Sequence, residues 1–350
     1  MNRVHLLASD NASGVHPAVL AKLVEVNRGH ALAYGADPLT HQVEALFQRQ
    51  FGEHSHTWLL TTGTAANVLA LKGMARSHQT VYCSEQAHLR VDECGAVEHF
   101  VGCPLTPLPS PSAKLDPAAL AARVDADRGL VHRSQPRVLS LSQATERGTL
   151  YQPEELRELI TTAHRLGLWV HMDGARLANA AAALDRELVE LSGALGVDAL
   201  SLGGTKNGLM LAEALVVFTP ELQPAYPFIR KQGMQLASKQ RFLAAQFLAY
   251  FEDELWRRNA QQANAMARYL GERLASIPGV RLAEPVAINM VFARLPNPWI
   301  APLQRLTPCL VNPGERDSEV RLVTAFDSQP QDIDHFVQQL RRLAGREPSA

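Results

Sequence analysis

Apolar and polar positions change period repeatedly along the first 220 residues, and the changes mark out the elements. Residues 17–26 (PAVLAKLVEV) and 40–52 (THQVEALFQRQFG) space their apolar side chains at helical intervals. HTWLLTT (56–62) is a short apolar run that predicts a buried strand, and a glycine turn leads from it into a helix over 63–75. TVYCS (80–84) predicts a strand, with a helix from about Val91 to Phe100 behind it. RVLSLS (137–142) and LWVHMD (168–173) predict two more strands. Between them PEELRELITTAHRLG (153–167) predicts a helix, with Pro153 in its first turn, glutamates at its positive end and Gly167 past its last turn. A helix near 185–194 and strands at 198–203 and 213–218 follow.

Strand–helix–strand alternation with nearly continuous apolar strands predicts an α/β fold, a mostly parallel sheet covered on both faces. Residues 235–276 carry one long helical pattern. Short strands near 288–294, 307–311 and 320–325 and a helix near 331–343 come after it. The expected organisation is a large domain over 1–245 and a small C-terminal α+β domain over 246–350, with the tail GREPSA unstructured.

Charge narrows the partners. The chain has 34 Lys and Arg against 35 Asp and Glu, a balance that leaves no basic footprint for nucleic acid. No apolar run is long enough for a membrane span, and the N-terminus lacks a signal-peptide pattern. The four cysteines, Cys83, Cys94, Cys103 and Cys309, form no C-x-x-C pair, so reduced thiols, no metal site and a cytoplasmic enzyme of small molecules are expected.

In a parallel sheet, ligands sit outside the carboxyl ends of the strands. That rule selects Gly63-Thr64, Ser84 to His88, Gln143 to Glu146, Asp173 to Arg176 and Thr205-Lys206. Lys206 ends an apolar strand among the small residues Gly203, Gly204 and Gly208, which would leave room for a flat ligand. Burial disfavours the ammonium form of a lysine, and a neutral amine attacks carbonyl groups. The alternative is a lysine that reaches solvent along its stem or pairs with a carboxylate. Asp173, in HMDGAR, also ends an apolar strand and needs a cation, either a pyridinium nitrogen or Arg176 beside it. TTGTAAN (61–67) puts free N–H groups and the Thr62 and Thr64 hydroxyls at a helix start, suited to a phosphate or to ordinary capping. His88 offers a flat ring or an acid–base group.

In this order these strings resemble the fold type I pyridoxal-phosphate enzymes, specifically the threonine aldolase branch, from about Ser9 to Gln338. HMDGARLANA (171–180) and GGTKNG (203–208) carry the resemblance most specifically, with AHLRVDECGA (87–96), YGADPLT (34–40) and VRLVTAFD (320–327). The resemblance implies a seven-stranded large domain, pyridoxal 5'-phosphate on Lys206, and Asp173 on the pyridine nitrogen. It implies Thr62, Gly63, Thr64 and Thr205 near the phosphate or ring and His88 stacked over the ring. Ser9, Arg176 and Arg321 would hold the carboxylate of an L-3-hydroxy-α-amino acid. Glu93 would lie near the site, and His132 near the substrate hydroxyl. A dimer of dimers with shared sites would bring Tyr34 and the cluster Arg230, Lys231, Lys239 and Arg241 to a neighbour. QATERGT (143–149) and GMQLASKQR (233–241) depart from the commoner family strings. The implied reaction is cleavage of threonine or allo-threonine to glycine and an aldehyde, with His88, His132 or a water as base. A phenylserine preference, β-elimination or racemisation on the same site, and a non-catalytic binding module are the alternatives.

Overall fold

In the computed structural model residues 6–345 are described, so the expectation for the tail beyond Gly345 lies outside them. Seven strands build the large sheet: β1 (His56–Leu60), β2 (Gln79–Ser84), β3 (Leu105–Leu108), β4 (Gln135–Ser142), β5 (Trp169–Gly174), β6 (Ala199–Gly203) and β7 (Glu213–Val217). Their spatial order is β1-β7-β6-β5-β4-β2-β3, with β6 through β3 parallel and β7 running against both its neighbours. Eight helices accompany these strands: α1 (Pro17–Val26), α2 (Pro38–Phe51), α3 (Gly63–Met74), α4 (His88–Val91), α5 (Ala96–Val101), α6 (Pro117–Asp127), α7 (Pro153–Arg165) and α8 (Leu177–Leu184). After β7 come α9 (Tyr226–Gln232), α10 (Arg241–Phe251) and α11 (Leu255–Ala275). A second, antiparallel sheet, ordered β10-β11-β9-β8, combines β8 (Arg281–Leu282), β9 (Met290–Pro296), β10 (Leu310–Asn312) and β11 (Asp317–Val323) with α12 (Ile300–Leu306) and α13 (Pro330–Ala344).

Strand alternation assigns each side chain a face. Leu139, Leu141, Val170, Met172, Leu200 and Leu202 face a core with α1, α2, α7, α8 and α10. There Phe47 meets Phe247 edge-on at 5.1 Å and Phe251 at 5.3 Å, joining α2 to α10. The opposite face packs Val81, Cys83, Val138 and Leu215 under α3, α5 and α9. On that face the central strands carry polar residues: Ser140, His171, Asp173 and Ser201 are all buried. In register, Ser142 pairs with Asp173 and Asp173 with Ser201. A third core joins Ala267, Leu270 and Leu274 of α11 to Val291, Val320, Leu322, Ile333 and Phe336.

Four departures from the sequence pattern have local causes. The helix expected from Val91 to Phe100 is two helices, broken at Asp92–Gly95, where Cys94 and Gly95 take φ of 52° and 70°. The helix expected near 185–194 lies earlier, as α8, stopped by left-handed Asp185, and two single 3-10 turns follow. The long pattern at 235–276 breaks at Glu252–Glu254, with Asp253 and Glu254 at φ 48° and 52°, so residue 245 falls inside α10. Finally, β3, α6 and α9 are short elements that the periodicity did not single out.

Candidate active site

The carboxyl ends of β2, β4, β5 and β6 surround a cavity of about 440 Å3, closed on the far side by the small sheet. His88, Glu146, Asp173, Arg176 and Lys206 line it from the large sheet, and Phe292, Leu310, Glu319 and Arg321 from the small one. The strand order reverses between β2 and β4, so this is the position where open α/β sheets bind ligands.

Asp173 sits at the base. Its Oδ1 accepts the Ala175 N–H at 2.9 Å and its Oδ2 accepts Asn67 Nδ2 at 3.0 Å. Asn67 also donates to Glu93 Oε1 at 2.8 Å, and the same oxygen meets His88 Nδ1 at 2.8 Å. The break between α4 and α5 turns Glu93 inward to make these contacts, and only 5% of it is exposed. Burial works to raise the Asp173 carboxyl, but the Lys206 charge, the Ala175 N–H, His88 and Asn67 together hold it below its ordinary value. The hydrogen bond to Glu93 raises His88 above the usual histidine value, against partial desolvation.

Lys206 follows β6 on a tight turn, Thr205–Asn207. Glu213, fully buried at the start of β7, accepts the Gly204 N–H at 3.1 Å and the Thr205 N–H at 3.4 Å and pins that turn. Asn207 Nδ2 donates to Trp256 O at 2.8 Å, tying the turn to α11. The Lys206 amine itself makes no hydrogen bond or ion pair among the described residues. The glycines beside it have a different role from the expected one. A Cβ at Gly203 would come within 2.5 Å of Ala175 O, and one at Gly204 within 2.6 Å of Ala212 O, so they allow backbone to pack on backbone rather than a ring to approach.

Arg176 and Arg321 both reach the cavity. Nε and Nη2 of Arg176 donate to Asp10 at 2.8 and 2.9 Å, an edge-on pair that leaves Nη1 on the cavity wall without a protein partner among the described residues. Ser9 stands next to this pair, with its Oγ 3.4 Å from Asp10 Oδ1. Arg321 lies opposite, and its Nε is buried without a partner. Thr62 caps α3 by accepting the Ala65 N–H, and with Thr64 it lines a neighbouring cavity beside Gly233 and Gln235 rather than the one around Lys206. The Thr205 hydroxyl accepts the Ala212 N–H at 3.2 Å, which removes it from the cavity wall. His132 does not line the cavity of its own chain. It is exposed before the amino end of β4, a strand length of roughly 23 Å from the carboxyl end at ~3.3 Å per residue. Tyr34 is 54% exposed, with Lys231 Nζ 5.1 Å from its ring, and the Arg230 Nε is orphaned nearby on α9.

Asp10, Asn67, Glu146 and Glu213 are the site residues that the sequence reading did not assign. Asn67 follows Gly63 by four positions, one helical turn, and so shares its face. Glu146 belongs to the strand-end segment 143–146. Ser142 Oγ and the His88 N–H donate to its Oε1 at 2.6 and 3.0 Å, Oε2 has no partner, and burial raises its proton affinity.

A phosphorylated pyridine aldehyde fits these groups. Lys206 offers an uncommitted amine, and Asp173 an ionised carboxylate whose other bonds are fixed. The start of α3 offers N–H groups beside Gly63, where even an added Cβ would meet nothing within 4 Å.

Comparison with known proteins gives the same lineage. A family model, the beta-eliminating lyases, matches residues 7–296. The chain belongs to that family. It is 44% identical over 298 residues to the low specificity L-threonine aldolase of Pseudomonas aeruginosa, covering 85% of this chain and 86% of that protein. The low specificity L-threonine aldolase of another Pseudomonas species is 42% identical over the same shares. A threonine aldolase structure from Leishmania major superimposes with a TM-score of 0.91 at 28% identity, covering 97% of this chain and 99% of that one. No described helix is long and apolar enough to cross a membrane.

Proposed function

We propose that this beta-eliminating lyase family member is a pyridoxal 5'-phosphate-dependent aldolase that cleaves L-threonine, L-allo-threonine and related L-3-hydroxy-α-amino acids to glycine and an aldehyde. The observation that carries the reading is one cavity holding an uncommitted lysine, an ionised aspartate and an unpaired arginine, in a chain 44% identical to a low specificity L-threonine aldolase. Lys206 would hold the cofactor aldehyde, Asp173 the ring nitrogen, the start of α3 the phosphate, and His88 would cover the ring. When bound, the cofactor supplies an electron sink for the pair left at Cα when a bond there breaks. Arg321 holds the substrate carboxylate and so fixes which Cα bond faces that sink. The hydroxyl proton passes to a group on the wall, and the same proton equivalent returns to Cα to complete glycine. His88, held by Glu93, and Glu146, held by Ser142, are the buried or half-buried groups placed to carry it.

The oligomer implied by the resemblance would use the exposed Tyr34–Lys231 surface, and we place the enzyme in the cytoplasm. The family's name, beta-eliminating lyase, keeps one competing reaction open, loss of the hydroxyl as water. Product analysis with L-threonine separates the two. Glycine and acetaldehyde in equal amounts support the aldolase; ammonia and a keto acid without glycine overturn it.

A further inference from the structure

The face of the small sheet turned away from its core carries a row of charges. Along β11, Asp317, Glu319 and Arg321 alternate with the buried Ser318, Val320 and Leu322. Each acid of the row is held by arginine from elsewhere. Asp317 meets Arg281 of β8 and Arg294 of β9. Glu319 meets Arg147, from the QATERGT segment after β4: Nη1 reaches one carboxylate oxygen and Nη2 the other, at 3.0 Å. Arg147 also donates from Nε to Glu284 at 3.3 Å and lies 4.5 Å from the centre of the Phe292 ring. Glu284 is held in turn by Ser112 Oγ, at 3.3 and 3.4 Å from its two oxygens. Phe292 stands directly across from Arg321 in the ladder. Arg147, Glu319, Phe292 and Arg321 therefore share one surface, and all of them line the cavity. Arg321 ends the row without an acid of its own. Its Nε is buried without a partner, and burial, helped by Arg176 and opposed by Asp10 and Asp92, holds its guanidinium below the ordinary arginine value.

Two positions along a strand are roughly 6.6 Å apart, a span that a glutamate and an arginine on the same face bridge with their side chains. A buried guanidinium gains by taking a carboxylate, whether a ligand or the protein supplies it. Glu319 is thus a built-in competitor for Arg321. We propose that Arg147 is a positioning residue: it clamps the Glu319 carboxylate away from Arg321 and so keeps that guanidinium open to the carboxylate of the incoming amino acid. A forked grip suits the task, because two parallel N–H bonds occupy both oxygens of Glu319 and fix its plane. The Phe292 ring and Glu284 hold the clamp itself in place. Arg294, across from Glu319 in the ladder, is directed to Asp317 instead, at 3.5 Å. This inference rests on the reading that Arg321 holds the substrate carboxylate, and the test separates the two.

The test measures glycine binding to the holoenzyme by titration calorimetry, in the wild type, Arg147→Met, Glu319→Gln, the Arg147→Met/Glu319→Gln double variant and Arg321→Met. Arg147→Met is expected to weaken glycine binding at least about tenfold, because Glu319 then competes for Arg321. Glu319→Gln is expected to bind glycine at least as tightly as the wild type. The double variant is expected to return to within about threefold of the wild type, since the competing carboxylate is gone. Glycinamide, which carries no carboxylate, is expected to bind Arg147→Met within about threefold of its wild-type affinity. Unchanged glycine affinity in a folded Arg147→Met overturns the proposal. So does a loss that Glu319→Gln fails to rescue, or one that glycinamide shares, because either result makes Arg147 only a brace between the two sheets. If Arg147→Met does not fold, Arg147→Lys replaces it. A single ammonium grips Glu319 less firmly than a fork, so a loss of at least about threefold, rescued by Glu319→Gln, is expected, and no loss overturns the proposal. Glycine binding that Arg321→Met leaves unchanged refutes the carboxylate role of Arg321, and the clamp with it. A loss in Arg321→Met without one in Arg147→Met overturns the clamp alone.

Discussion

The two walls of the cavity are built on opposite terms. On the large-sheet wall His88, Glu93, Asn67 and Asp173 form a continuous hydrogen-bonded chain, and Glu213 pins the Lys206 turn from behind. On the small-sheet wall Arg321 keeps an unpaired buried Nε beside Phe292 and Leu310. A polar group buried without a partner costs about 1–3 kcal/mol. On the large-sheet wall Asn67, Glu93 and Glu146 each leave one atom unpaired but are held by a hydrogen bond to the other, whereas the Arg321 side chain is held by no hydrogen bond among the described residues. The first wall suits a group that stays; the second suits a group that comes and goes.

Substitutions on each wall should therefore differ in kind as well as size. Lys206→Ala removes the attachment point and is expected to lower kcat by on the order of 10⁴-fold or more, with loss of the visible chromophore in the purified protein. Arg321→Met acts on the other wall. It is expected to raise KM for threonine by about 10- to 100-fold with a smaller change in kcat, the effect of losing charged hydrogen bonds worth ~1.5–3 kcal/mol. A kcat loss with KM unchanged would place Arg321 on the wrong side of the comparison. Asn67→Leu breaks the hydrogen-bonded chain on the large-sheet wall, leaving the Asp173 and Glu93 oxygens with one donor fewer each. It is expected to cost about 1–3 kcal/mol in urea unfolding and to weaken cofactor retention.

The smallest effect lies behind the large-sheet wall. His171 is fully buried, 2.9 Å from Ser140 Oγ and 3.0 Å from Ser201 Oγ, and burial pushes its proton affinity below the ordinary value despite Asp173 nearby. Its neutral form is the folded form, so below the ordinary histidine value of about 6.5 the unfolded chain binds the proton first and stability falls with pH. His171→Gln should flatten that fall by up to about 1.4 kcal/mol per pH unit in unfolding measured between pH 7 and 5.

The strand-end chemistry was legible because it depends on local order: an apolar run, then Asp173, then Lys206 after a later one. The strand-end rule alone selected Lys206, Asp173 and His88, and the structure brings all three to one cavity. What sequence reading missed acts across distance. Asp10 meets Arg176 from 166 residues away, and no periodicity announces such a pair. Glu93 was assigned through a resemblance, yet its contact with His88 depends on a helix break at Cys94 that the apolar pattern does not contain. Position next to a strand does not say which end of the sheet a residue faces, and His132 lies before the amino end of β4 in its own chain. Thr62 and Thr205 each accept a backbone N–H, a bond that a hydroxyl near a turn makes as readily as one to a ligand.

The account stands on Lys206 as the residue that carries the cofactor. The direct measurement is borohydride reduction of the holoenzyme followed by peptide mass mapping. The account predicts a pyridoxyl-phosphate mass increment on the peptide containing Lys206 and on no other lysine peptide. An unmodified Lys206 peptide, with the label elsewhere or absent, would contradict it.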